Sequence, residues 1–255
     1  MTRLPPSSPA RGGAVSWTRS DSPVPYPDAV RAMADRVSAI RAGAAPEAVW
    51  LLEHPSCFTA GTSARAADLF NPLGFPTFDA GRGGQWTYHG PGQRVAYVML
   101  DLQQDHGTLG TRDVRGFVCA LEGWLIDTLA SFGIKGERRQ DRIGVWVADP
   151  VTGTENKIAA LGVRMTRWVS WHGVSINLDP VLAHFDGIVP CGIREHGVTS
   201  LRALGRDTTM EALDEALIEA WGRRFGGRPA TIAERAADQL LGGTNKEGSS
   251  ASPSC

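Results

Sequence analysis

Val114, Phe117, Val118, Leu121, Leu125 and Leu129 recur at the spacing of one helix face, and Gly133 closes the run. A helix of several turns with a single apolar stripe has to lie against an extended apolar surface. Short apolar runs elsewhere supply one. Val49, Trp50, Leu51 and Leu52 read as a buried strand stopped by Pro55, and further strands are predicted over Val95–Leu102, Ile143–Ala148, Lys157–Arg164 and Val169–Leu178. Asp149, Pro150, Val151, Thr152, Gly153 and Thr154 carry turn chemistry that joins two of these as a hairpin. A first helix is expected from Val30, Met33, Val37 and Ile40, ending near Gly43. A late helix is expected from Thr208, with Glu211 three residues on as in a capping box and Met210, Leu213, Leu217 and Trp221 as its stripe. Strands grouped centrally, with helices before, between and after them, predict an α/β (α+β) fold in which helices flank a mixed β-sheet.

The 255 residues suffice for one substantial core. Pro and Ser dominate Thr2 to Pro27, so residues 1–27 are expected to form a flexible N-terminal segment, followed by one domain over 28–230. Residues 231–255 are expected to form a C-terminal segment that ends in a flexible Gly- and Ser-rich tail. With 26 basic against 27 acidic residues, the chain lacks the cationic excess that tracks phosphate, which excludes a generic nucleic-acid binder. No apolar run approaches the length of a membrane span, and Met1 to Ala14 lacks the apolar core of a secretory signal. A soluble cytoplasmic protein is therefore expected. Cys57, Cys119, Cys191 and Cys255 have no paired metal-ligand spacing, so no metal is predicted and a distinctive cysteine is a nucleophile candidate.

Three blocks hold the candidate chemistry. Arg82, Gly83, Gly84, Gln85, Trp86, Thr87, Tyr88 and His89 set donor side chains among glycines that allow close backbone approach to a ligand. The ordinary alternative is a tight hairpin with solvated polar groups. Lys157 opens the otherwise apolar run Ile158, Ala159, Ala160, Leu161 and Gly162, where an ammonium needs a partner unless it ends the strand in water. Cys191 sits between Pro190 and Gly192 after Ile188 and Val189, either as an activated thiol or as a small buried hydrophobe. Cys57 lacks the adjacent glycine and ranks below it. Glu53, His54 and His172 read as framework polar groups.

Taken in order, Leu52 to Pro55, Arg82 to Gln93, Lys157 to Gly162, His172 to Asn177 and Ile188 to Ile193 resemble the lipoyl(octanoyl)transferase family, over nearly all of Val30 to Leu204. The resemblance implies a fold like the catalytic domain of biotin and lipoate protein ligases, with Cys191 and Lys157 as a catalytic dyad and no cofactor. It implies substrate contacts from Arg82 to His89, from Ala160, Leu161 and Gly162, and from Gly173, Val174 and Ser175. Octanoyl-acyl carrier protein is the implied donor. The implied acceptors are the lipoyl domains of 2-oxoacid dehydrogenase complexes and the glycine cleavage H protein. Trp86 and Ser175 depart from the family's pattern in ways that bear on pocket shape. An ATP-dependent ligase of the same fold and a non-catalytic acyl-carrier-binding module are the competing readings. Keeping both Lys157 and Cys191 argues against the binder, which needs neither.

The composition of the tail yields a first prediction. Deleting Gly242 to Cys255 should leave melting temperature and turnover nearly unchanged, because such a sequence buries little apolar surface. Lost activity at an unaltered melting temperature would assign the tail a role.

Overall fold

The computed structural model describes residues 15–149, 152–189, 197–226 and 232–235. Its strands are β1 (Ser16–Ser20), β2 (Ala48–Leu52), β3 (Cys57–Ala60), β4 (Thr77–Asp79), β5 (Trp86–His89), β6 (Gln93–Met99), β7 (Val145–Ala148), β8 (Glu155–Thr166), β9 (Val169–Asn177), β10 (Gly197–Val198) and β11 (Ile232–Arg235). Its helices are α1 (Tyr26–Arg41), α2 (Val114–Ser131) and α3 (Met210–Phe225). Among the described residues, eight strands form the main sheet in the order β10-β8-β9-β6-β2-β1-β11, with β7 paired to β8. A second sheet has the order β4-β3-β5. The main sheet mixes parallel β1–β2 and β1–β11 pairs with antiparallel β2–β6, β6–β9 and β8–β9 pairs. This is the mixed sheet with flanking helices that the sequence predicts.

Period-two alternation divides the central strands between two cores. Val49, Leu51, Ala96, Val98, Val174 and Ile176 face α2 and α3, packing on Phe117, Leu121, Leu125, Leu213 and Leu217. Ala48, Trp50, Leu52, Val95, Tyr97, Val169 and Trp171 face α1, packing on Ala29, Met33, Val37 and Ile40. Burial on both faces explains why these strands are apolar throughout rather than alternating. The helices begin and end on local signals. Pro27 sits in the first turn of α1 and Gly43 follows its end at φ 68°, while Asp113 caps α2 by accepting from the Gly116 amide at 2.7 Å.

Two expectations need correction. The strand β1 lies within residues 1–27 and β11 lies beyond 230, and the two pair in parallel, so the sheet extends past both expected domain limits. The signal was small because a single indole anchors β1: Trp17 is 1% exposed and meets Trp124 and Trp221 edge-on at 6.1 and 5.2 Å. The late helix starts one residue later than expected, since Thr209, not Thr208, accepts from the Ala212 amide at 3.3 Å. The ordinary alternative for the Gly-rich block, a tight hairpin, does not hold. Its strand β5 pairs with β3 in the small sheet, and the chain then crosses at Gly90–Gly92 into β6 of the main sheet.

Trp17→Ala should therefore lower the unfolding free energy by about 3–5 kcal/mol, the usual cost of removing a fully buried aromatic ring. Urea denaturation measures it, and a loss well under about 1 kcal/mol would mean that β1 is not docked.

Candidate functional site

On the α1 side of the sheet, large residues give way to small ones where β6, β9 and β8 run together. Val95 pairs with Ser175 and Ser175 with Ala160, while Tyr97 pairs with Gly173 and Gly173 with Gly162. Paired residues share a face, so Ser175, Ala160, Gly173 and Gly162 form a patch of sheet without bulky side chains. Over it lies a cavity of about 400 Å³, within the range of small-molecule sites. Both triplets predicted as substrate contacts, Ala160 to Gly162 and Gly173 to Ser175, line it. So do Val95, Phe185, Ile188 and Val198, which make much of the wall apolar.

The Gly-rich block roofs the cavity, and Arg82, Gly83, Gly84, Gln85, Trp86, Thr87 and His89 all contribute to its lining. The Arg82 guanidinium is 8% exposed and engaged with the roof itself. It donates to the carbonyls of Gly83 at 3.0 Å and Gln85 at 3.2 Å, and to the Thr59 carbonyl and hydroxyl at 3.0 and 2.8 Å. The Gly83 amide donates to the Val163 carbonyl at 3.0 Å, fastening the roof to β8. Gly162 permits this contact, since a Cβ there would lie 2.9 Å from both Arg82 Cδ and the Gly83 oxygen. Tyr88 alone of the block is not on the cavity. Its hydroxyl bonds with Ser56 and His184, and its ring packs among Phe58, Phe75 and Phe185.

Part of the cavity wall is polar but uncharged. Tyr26, His89, Tyr97 and His172 line it, and His54 stands behind them. His54 Nδ1 donates to the Val24 carbonyl at 2.6 Å and its Nε2 accepts from the Tyr97 hydroxyl at 2.6 Å, the neutral tautomer. Burial pulls its pKa down to about 4, against the opposing Val24 bond. His172 is pulled down to about 3 by burial and then by the charges of Arg82 and Arg164. It also holds a φ of 62° within β9, a backbone state that non-glycine residues adopt rarely and that concentrates at functional sites. His89 lies well below the ordinary value, again chiefly through burial. A chain of amides fixes its ring. His89 Nδ1 donates to Gln93 Oε1 at 2.7 Å, Gln93 Nε2 to Asn177 Oδ1 at 2.9 Å, and Asn177 Nδ2 to the Thr199 carbonyl at 3.0 Å.

That chain ends beside Lys157, because the Thr199 amide donates to the Lys157 carbonyl at 2.9 Å. The Lys157 side chain is 6% exposed, so it does not end the strand in water. Its Nζ donates to the Ile143 carbonyl at 3.0 Å and stands 4.7 Å from the centre of the Trp146 ring. Cys191 lies outside the described residues. Ile188 and Val198, on either side of that segment in sequence, both line the cavity, and β10 pairs Val198 with Lys157. Cys57 is an unsuitable nucleophile, since burial pushes its thiol up to about 12. Among the described residues, no group of His, Cys, Asp and Glu is placed to hold a metal ion. No helix of the described residues is long and apolar enough to cross a membrane.

Residues 25–222 match the family model described as the lipoyl protein ligase A/B catalytic domain. The chain belongs to that family. An octanoyltransferase of Gluconacetobacter diazotrophicus is 63% identical over 218 residues, 86% of this chain and 94% of the relative. One from Acidiphilium cryptum is 58% identical over 219 residues, covering 86% and 96%. Like these relatives, the family member described here is an acyltransferase. Solved structures share its fold. A bi-partite lipoate protein ligase from Thermoplasma acidophilum matches at TM-score 0.61 and 14% identity over 90% of this chain and 91% of that one. A lipoate-protein ligase A bound with ATP matches at TM-score 0.56 and 14% identity over 89% and 93%.

Sequence reasoning passed over Tyr26 and Tyr97, took Asn177 only as the end of the His172–Asn177 block, and set His172 aside as framework. The four lie on three elements, α1, β6 and β9, that are far apart in the chain. The neutral histidines have a measurable consequence. With its pKa lowered from 6.5 to about 4, His54 makes stability fall as pH drops through that interval, because the unfolded chain takes up a proton that the folded chain refuses. His54→Gln should flatten the decline in urea-unfolding free energy between about pH 7 and 4.5. Parallel curves for the two proteins would show that His54 does not contribute.

Proposed function

We propose that this acyltransferase moves an octanoyl group from octanoyl-acyl carrier protein to a lysine of a lipoyl domain, in lipoate biosynthesis, by way of a thioester on Cys191. The acceptors are the lipoyl domains of 2-oxoacid dehydrogenase complexes and the glycine cleavage H protein, and the setting is the cytoplasm. One observation carries the reading: a partly apolar cavity whose lining includes the Lys157 side chain together with Ile188 and Val198, the residues that bracket the Cys191 segment. An eight-carbon chain suits such a space, each buried methylene contributing about 0.8 kcal/mol. The octanoyltransferase relatives support the same acyl group.

In the first step the Cys191 thiolate adds to the octanoyl carbonyl of the carrier thioester. Collapse of the oxyanion breaks the bond to the phosphopantetheine sulfur, which leaves and takes up a proton. In the second step the acceptor amine adds to the acyl-cysteine carbonyl, the Cys191 sulfur leaves, and the amine's proton is transferred away as the amide forms. Exchange between thioesters is nearly isoenergetic and thioester to amide runs downhill, so the acyl group needs no activation by ATP. Lys157 fits two duties. As an ammonium it stabilises the thiolate, and as an amine it accepts the proton. Arg82 is committed to holding the roof, so its part is to shape the cavity rather than to meet the reacting carbonyl.

Intact-protein mass spectrometry after mixing with octanoyl carrier protein should show an octanoyl increment without ATP. Cys191→Ala should show none, and labelling of that variant at the parental rate would remove Cys191 from the mechanism. A strict ATP requirement would point to the ligase reading. Lys157→Ala should slow acylation by about 100-fold or more and move Cys191 alkylation by a small reagent to higher pH. An unchanged alkylation profile with parental transfer would dismiss Lys157.

A further inference from the structure

Glu122 is a buried acid on α2, 6% exposed, on a helix whose neighbouring side chains Leu121 and Leu125 belong to the apolar core. A carboxylate there is costly unless its position is used, and burial is the main influence raising its pKa. Its Oε1 accepts from the Gly144 amide at 3.2 Å, and its Oε2 lies 3.5 Å from Arg138 Nε. Gly144 directly follows Ile143, whose carbonyl accepts from Lys157 Nζ at 3.0 Å. The same glycine has a φ of 133°, and a Cβ on it would stand 2.9 Å from Lys157 Cε and 3.2 Å from Nζ. The Ile143–Gly144 peptide therefore has the Lys157 ammonium on its carbonyl and Glu122 on its amide.

We propose that Glu122 is a positioning residue for the transfer reaction: by holding the Gly144 amide it orients the Ile143–Gly144 peptide, and that peptide sets where the Lys157 ammonium stands in the cavity. The inference rests on the role given to Lys157 under Proposed function. A helix packed on β7 and β8 would be served as well by an apolar residue at this position, and an exposed peptide could be satisfied by water. An acid that bonds one specific amide has a use in fixing that peptide's plane. The bulge between Val145 and Trp146 makes this necessary, because the β7–β8 ladder shifts register beside Gly144 and does not by itself define the peptide's orientation.

The test compares single-turnover acylation in Glu122→Ala, Glu122→Gln, Gly144→Ala and Lys157→Ala, with the melting temperature of each. Glu122→Ala should lower the maximal acylation rate by about tenfold or more, leave the half-saturating carrier concentration unchanged, and move Cys191 alkylation in the direction that Lys157→Ala moves it. Glutamine offers a carbonyl to the same amide, so Glu122→Gln should recover most of the rate. Gly144→Ala, whose new methyl would press on Lys157, should match Glu122→Ala, and it decides the matter if Glu122→Ala does not fold. Parental rates in folded Glu122→Ala, or in Gly144→Ala, would overturn the inference, as would a Gln variant no better than Ala. If Lys157→Ala loses transfer while Glu122→Ala keeps it, only this inference fails. If Lys157→Ala itself transfers at the parental rate, the reading of Lys157 fails first.

Discussion

The cross-strand rows Val95–Ser175–Ala160 and Tyr97–Gly173–Gly162 are the constraint on which the rest of the site depends. Elsewhere β2, β6 and β9 are buried along their length between the two apolar cores. At these two rows the α1-side face carries a hydroxyl, a methyl and two hydrogens in place of bulky groups. The gap is roofed by a loop that can come so close only because Gly162 has no Cβ. A side chain at Gly173 would run into the Ala96 carbonyl of the paired strand β6, so at that position the same missing Cβ serves both the strand pairing and the open face.

The cavity's electrostatics follow from the same enclosure. Three histidines and two tyrosines gather where water is largely excluded, and burial disfavours every charged form they could take. That wall therefore remains polar but neutral, offering hydrogen bonds without a fixed charge that would repel an acyl chain. Arg82, which could have broken this neutrality, is bound to the carbonyls of its own loop and to Thr59. Lys157 is held apart, over the Trp146 ring and against the Ile143 carbonyl. The amide chain from His89 through Gln93 and Asn177 to Thr199 ties the neutral wall to the strand that carries Lys157.

Shared fold with lipoate protein ligases at 12–14% identity means that the backbone arrangement tolerates almost complete exchange of side chains. What separates chemistries on such a frame is a handful of residues at the cavity. In this chain the described cavity lining includes Lys157, while Cys57 is buried and held in its thiol form.

The sequence by itself determined the elements whose patterns are local. The stripe of α2, the apolar runs of β2, β6 and β9, the turn before β8 and the glycine-rich block were all legible, since periodicity and turn chemistry act over a few residues. The motif residues from Arg82 to His89 and from Lys157 to Gly162 were legible in the same way, as unusual side chains in short windows. Only the tertiary structure decided that Tyr26, Tyr97, His172 and Asn177 stand beside them, that Tyr88 turns away, and that Trp17 brings an apparently unstructured segment into the sheet. Those outcomes depend on which residues pair across strands far apart in the chain. Register and two-sided burial are collective properties of the packed sheet, and no single segment carries them.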